Sequence, residues 1–229
     1  MVRRTKEDAL ATRESLLDAA ELVFQAKGVS RASLNDIARK AGATRGAVYW
    51  HFKDKADLFN AMMDRATLPL EESYDAGEGD ASVNSLLKVR SSLKACLVRI
   101  SGDERMRRVF EVATHKVEYV DELQAVRARH LRVRNEFLGK MTVDLARAAH
   151  EQSLTLQISP ELASQGLHAI VDGMIQNWLL DPVAFDLIAT IGPVIDVYLT
   201  GLGFYLATSW NMPLQAGTSK DTIPPLDKP

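Results

Sequence analysis

Residues 33–55 read SLNDIARKAGATRGAVYWHFKDK, and this stretch decides the fold. Ser33 stands at a helix N-cap position, with Asp36 three residues on as the acid of a capping box. Leu34, Ile37, Ala38 and Ala41 fall at i, i+3, i+4 and i+7, so a short helix over 34–41 has one apolar face. Gly42 supplies the left-handed residue that stops it. Thr44 caps a second helix over 45–52, in which Val48 and Phe52 point inward one turn apart. Two short helices joined by a glycine-containing turn form a helix-turn-helix. Isolated helices under ~12–15 residues are marginal in water, so both must lean on other elements.

The outer face of the second helix indicates what it meets. Arg45 and Tyr49 lie one turn apart, Trp50 and His51 follow, and Lys53 and Lys55 stand just beyond. Arginine offers a donor fork to guanine or phosphate, and hydroxyl and imidazole groups donate to phosphate oxygens. A hairpin with a merely solvated basic face is the plainer alternative, but it exposes Tyr, Trp and His together without gain. The charge distribution agrees with a nucleic-acid partner. Residues 1–65 hold 12 Lys and Arg against 9 Asp and Glu, whereas residues 66–229 hold 16 against 21.

With LLDAAELVFQAKG upstream and LNDIARKAG before it, TRGAVYWHFKDKADLF resembles the DNA-binding domain of the TetR family of transcriptional regulators, without a gap from about Ala9 to Asp64. The resemblance implies phosphate contacts from Tyr49, His51 and Lys55, and base-edge contacts from Arg45 with Gly46 and Tyr49. Ser33, Thr44 and Trp50 complete the candidate DNA-binding set. Farther along, DGMIQNWLLDPVAFDL followed by VYL is similar to the C-terminal region of the AcrR subgroup, whose members repress multidrug efflux pumps.

Outward from the motif, the periodicity is helical throughout and shows no strand-like alternation. A first helix runs from about Lys6 or Glu7 to Ala26 and ends at Gly28, with Leu16, Ala19, Ala20, Val23 and Phe24 inward. A fourth, capped at Asp54, leaves the first domain and enters the second, and Pro69 is expected to kink or end it near Ala66. Further helices are expected at about 83–101, 104–113, 116–151, 160–180 and 187–208, with Pro193 tolerated near a first turn. Residues 1–6 read as a basic arm and 75–82 as a polar loop. The expected fold is all-α: a three-helix helix-turn-helix domain over 1–65, a larger effector-binding and dimerisation domain over 66–207, and a disordered tail over 208–229.

Within the second domain, the resemblance implies an effector cavity lined by the segment around Asp172, there as a buried carboxylate orienting a ligand's polar or cationic group, whereas composition alone reads Asp172 as a surface carboxylate. Phe110, Phe137 and Met141 are candidate apolar walls, and Cys96, Val171 and Ile175 complete the set, each with ordinary core packing as its alternative. It also implies that the last two helices pair with a second copy, with Gly166, Gly173, Gly201 and Gly203 allowing close approach. A homodimer is what a symmetric operator requires.

Other chemistries find little support. Glu111, His115 and Glu118 share one face of a helix, but the second half of a di-iron motif is missing, and no Cys/His cluster of zinc type exists. Arg127, Arg129, Arg132 and Arg134 read as a solvated face. No catalytic constellation can be placed, so neither an enzyme nor a cofactor is expected. The single Cys96 fits a reducing cytoplasm, and no run approaches 18 apolar residues, so no membrane span is expected. The sequence therefore reads as a repressor that binds double-stranded operator DNA and is released by a small hydrophobic or drug-like effector. Two alternatives stay open: a regulator answering to a metabolite, and an effector-independent DNA-binding cell-division protein.

Overall fold

The computed structural model describes residues 6–75 and 84–210. Among these residues the secondary structure is helical: α1 (Lys6–Lys27), α2 (Leu34–Lys40), α3 (Arg45–His51), α4 (Lys55–Asp75), α5 (Ser85–Gly102), α6 (Glu104–His115), α7 (Gln124–Glu151), α8 (Pro160–Leu180) and α9 (Leu187–Gly201). One 3₁₀ turn, Asp121–Leu123, leads into α7. The expected arm before Lys6, residues 76–82 of the polar loop expected at 75–82 and the tail beyond Trp210 lie outside the described residues, while Asp75 is the last residue of α4.

The local signals hold where the chain decides for itself. Ser33 and Asp36 form the capping box of α2, with the Asp36 amide on Ser33 Oγ at 3.1 Å and the Ser33 amide on the Asp36 carboxylate at 3.2 Å. Thr44 Oγ1 takes the Ala47 amide at 3.2 Å, and Asp54 caps α4 through the Asp57 amide at 2.8 Å. Gly28 and Gly42 adopt φ of 80° and 65°, the left-handed conformation that ends α1 and turns α2 toward α3.

Two hydrophobic cores form. The first gathers Leu16, Leu17, Ala20 and Phe24 of α1, Ile37 of α2, Val48 of α3, and Leu58, Phe59 and Met62 of α4. It also takes in Val109 and Val112 of α6, Leu123, and Val126 of α7. The second joins α5, α7, α8 and α9, closed by Phe204 and Trp210. The 1–65 unit is thus not packed by its own residues alone.

Several sequence expectations give way here. Helix α4 continues through Pro69, because a proline removes one backbone donor without forbidding the next turn. Pro193 lies inside α9, well past its first turn. The helix expected at 116–151 starts only at Gln124, since tertiary contacts hold the preceding chain: the Val29 amide donates to the Lys116 carbonyl at 2.8 Å. Helix α9 stops at Gly201, with Gly203 at φ 98°. The described chain then runs to Trp210, whose amide donates to Asp196 of α9 at 3.0 Å and whose carbonyl takes Lys94 Nζ of α5 at 2.9 Å.

Candidate DNA-reading surface and ligand cavity

Helix α3 is anchored by one buried side chain, Val48, which frees its remaining surface for contact. Arg45 and Tyr49 are organised before any partner arrives. The guanidinium donates to the Tyr49 hydroxyl at 3.2 Å and lies 5.4 Å from its ring centroid. Such a pair holds two long side chains in one orientation and lowers the entropy lost on binding. Trp50 is 71% exposed, and the His51 ring meets it edge-on at 4.4 Å. Ser33, Arg45, Tyr49 and Lys55 border one shallow depression between the start of α2 and α3. Gly46 sits at the first turn of α3, where a side chain would meet only Thr44 Oγ1. All eight candidate residues therefore fall on or beside the helix-turn-helix.

Lys55 has partners within the chain. Its ammonium donates to the Ser30 and Ala32 carbonyls at 2.9 and 3.2 Å and pairs with Glu122 at 2.7 Å. An ammonium has three protons, and these acceptors use them all. With 15% of the side chain exposed, Lys55 staples the loop after α1 and the turn before α7 to the start of α4. A phosphate would have to displace Glu122 to reach it.

In the second domain a cavity of about 260 Å³ lies among α4, α5, α6, α7 and α8. Of the expected effector set, Cys96, Phe110, Phe137, Val171, Asp172 and Ile175 line it. Met141 does not. It is 1% exposed and packs in the second core, one turn beyond the cavity wall formed by Phe137. Asp172 is an exposed residue at the cavity's edge rather than a buried carboxylate, and accepts Gln176 Nε2. Burial raises the Cys96 thiol to about 11, with Arg99 opposing, so it is neutral at physiological pH.

The sequence reading missed Thr67, Arg99, Val133, Glu136, Lys140 and His168, which also line the cavity. Helical spacing would have found most of them. Arg99 is three residues from Cys96, Val133 and Lys140 are four before and three after Phe137, and His168 is four before Asp172. Thr67 gave no such signal, because only the tertiary fold brings α4 there. The His168 ring lies 6.2 Å from that of Phe137, and burial lowers its pKa while Asp172 opposes that shift.

Two charged expectations also change. Arg129 belongs to the run read as solvated, yet it is buried, pairing with Asp64 and donating to Thr67 Oγ1 at 2.9 Å. Glu111 accepts Gln25 Nε2 at 2.7 Å, and α6 ends at His115, so Glu118 does not share its helical face. Among the described residues no group of three or more His, Cys, Asp or Glu is placed to hold a metal, and no helix is long and apolar enough to cross a membrane.

A helix-turn-helix presenting Arg45, Tyr49 and Trp50, joined through α4 to a second helical domain, defines a DNA-binding transcriptional regulator. Comparison with known proteins agrees. Residues 16–62 match the model of bacterial regulatory proteins of the tetR family, and residues 84–204 match the C-terminal region of MAATS-type transcriptional repressors. The chain belongs to the tetR family. It is 37% identical over 206 residues to the HTH-type transcriptional regulator TtgR of Pseudomonas putida, covering 88% of this chain and 95% of that one. Among solved structures it is similar to NalD, the secondary repressor of the MexAB-OprM multidrug efflux pump in Pseudomonas aeruginosa, with 34% identity and a TM-score of 0.77 over 86% of this chain and 98% of that one. A SmeT–triclosan complex is similar at 28% identity and a TM-score of 0.75, over 93% of this chain and 100% of that chain.

Proposed function

We propose that the protein is a homodimeric, ligand-released repressor of a multidrug efflux-pump operon, acting in the cytoplasm on double-stranded operator DNA. The observation that carries this reading is the 260 Å³ cavity, whose wall includes Thr67 of the same helix that leaves the DNA-reading unit. Its apolar wall (Leu93, Phe110, Val133, Phe137, Val171 and Ile175) suits a compact hydrophobic molecule. Its charged groups, Arg99 and Lys140 against Glu136 and Asp172, balance in sign and favour a ligand that is neutral overall. Triclosan, held by SmeT in its complex, is a ligand of that kind.

A dimer is supported by the second domain's outer surface. Leu162 and Leu180 of α8, Val183 after it and Val197 of α9 are exposed apolar residues, and at Gly173 and Gly201 an added methyl would meet nothing. Gly166 and Gly203 serve the single chain instead, since a methyl there would press on Tyr198 and Leu154. A second reading, an effector that is a metabolite acid, would use Arg99 and Lys140 at the cavity wall as its basic anchor.

The test is a titration of the DNA upstream of the protein's own gene, with and without triclosan. Coupling of the usual size would weaken operator binding some 5–150-fold, and the operator would weaken triclosan binding by the same factor. Arg45→Ala should cost ~1–3 kcal/mol on the operator and relax preference at one base pair per half-site. Equal affinity with and without triclosan would sink the proposal.

A further inference from the structure

We infer that Glu21 is the residue through which occupancy of the cavity reaches the DNA-reading unit, an inference that rests on the ligand-released reading above. Glu21 lies on α1 and is 2% exposed, a site where an ionised carboxylate persists only if paired. It accepts Arg65 Nη2 from α4, Arg105 Nε from α6 at 2.8 Å, and faces Arg108 Nη1 at 3.6 Å. The node spreads outward along α1. Arg65 also pairs with Glu14 at 2.7 Å and Asp18 at 2.9 Å, and Arg105 pairs with Asp18 at 2.9 Å. One buried carboxylate thus ties α1 to α4 and α6 together.

Both partner helices also form cavity wall. Thr67 follows Arg65 by two residues on α4, and Phe110 follows Arg108 by two on α6. Two residues along an α-helix is a rise of about 3 Å and a rotation of about 200°. The cavity residue and the arginine therefore leave each helix on nearly opposite sides, so α4 and α6 each form a layer between cavity and node. A ligand that rolls or displaces either helix must draw an arginine off Glu21 or carry α1 with it. Helix α1 packs against α2 and α3 through the first core, so its displacement reaches the reading helix.

The node is also incompletely satisfied. Arg65 Nε is buried with no acceptor, so an alternative arrangement that pairs it has something to gain. Buried ion pairs are poor sources of net stability but are well attested as devices that fix one register against another. Two registers of α4 and α6 over one carboxylate are what a ligand-driven transition needs.

The test uses the full chain, triclosan and the upstream DNA. Wild type should show the reciprocal coupling described above. Glu21→Gln, which keeps the shape and removes the charge, should leave triclosan and unliganded operator affinities within about threefold while the coupling factor falls from the ~5–150 range toward one. Glu21→Asp should restore most of it. Arg105→Gln removes one arm of the node at its exposed edge, should give an intermediate factor, and decides the matter should Glu21→Gln not fold. Wild-type coupling in these variants, or loss of either affinity with coupling intact, overturns the inference and leaves Glu21 a structural residue. Wild type without coupling removes the ligand-released reading itself, and the wild-type titration alone reveals that.

Discussion

Gly192→Ala should destabilise the protein although it improves a helix. Gly192 lies inside α9, where alanine is ordinarily better by ~1 kcal/mol. The methyl, however, would overlap the indole of Trp210, which packs over this glycine and is 4% exposed. The Arg90 guanidinium, 5.9 Å from the ring centroid, and Asp196, which takes the Trp210 amide, hold the indole there. Expelling a packed tryptophan costs on the order of 3–5 kcal/mol, and the low end applies because Trp210 Nε1 is buried without an acceptor. After the helical gain the net loss is ~2–3 kcal/mol, or roughly 4–12 °C in Tm for a chain of this size. Thermal and urea unfolding at fixed protomer concentration measures it. The decisive comparison is the cycle with Trp210→Ala, in which Gly192→Ala should reverse sign and stabilise by up to ~1 kcal/mol. An equal loss in both backgrounds would refute the assignment of the clash to Trp210.

Lys55→Gln should cost ~1–3 kcal/mol of stability, because it weakens a charge-assisted staple, while leaving the salt slope of operator binding unchanged; a slope reduced by about one per subunit would return Lys55 to the phosphates. Lys27 and then Ser33 hold Asp36 down to about 2 from its ordinary 3.8, so its contribution is fully present above pH ~4 and is lost as pH falls through about 2. Urea titrations of wild type and Asp36→Asn should accordingly differ most near pH 6 and converge toward pH 2, and a gap that widens in acid would contradict this. Cys96, a neutral thiol at pH 7.5, should alkylate far more slowly than glutathione and be protected by triclosan, as followed by mass spectrometry; fast, ligand-independent labelling would place it outside the cavity. The fragment 1–65 should unfold without a cooperative transition, and circular dichroism showing full-chain stability in it would refute the shared core.

What was legible in the sequence is what the chain settles over a few residues. Ser33 with Asp36, Thr44, Asp54, Gly28 and Gly42 each act within one helical turn, so their identity alone places the ends of α1, α2, α3 and α4. Arg45 and Tyr49 are i, i+4 neighbours, so their pairing follows from spacing. The cavity was half legible, because residues one turn from Cys96, Phe137 and Asp172 share their face, while Thr67 arrives through tertiary packing. Burial of charge was not legible. Lys55, Arg129 and Glu21 look like surface residues in a pattern of charges, and only partners far along the chain (Glu122, Asp64, and Arg65 with Arg105) bring them inside. Asp172 differs in the opposite direction, since its neighbours Val171 and Ile175 are buried while it stands exposed at the cavity's edge.

The same distinction bears on where one domain ends. A boundary at residue 65 follows the motif, but the packing does not stop there: Val109, Val112, Leu123 and Val126 are at most 3% exposed, all against the helix-turn-helix core. Each buried aliphatic side chain of that kind contributes ~1.5–3 kcal/mol relative to exposure. A core of about 65 residues rarely supplies more than ~3–5 kcal/mol in total, so borrowed packing of this size is comparable to the unit's whole stability. A regulator gains from that arrangement. If the DNA-reading unit were stable alone, its geometry would be indifferent to the rest of the chain. Because α6 and the start of α7 complete its core, and Phe110 and Val133 on those helices also line the cavity, any displacement there is felt in the packing beneath α1 and α4.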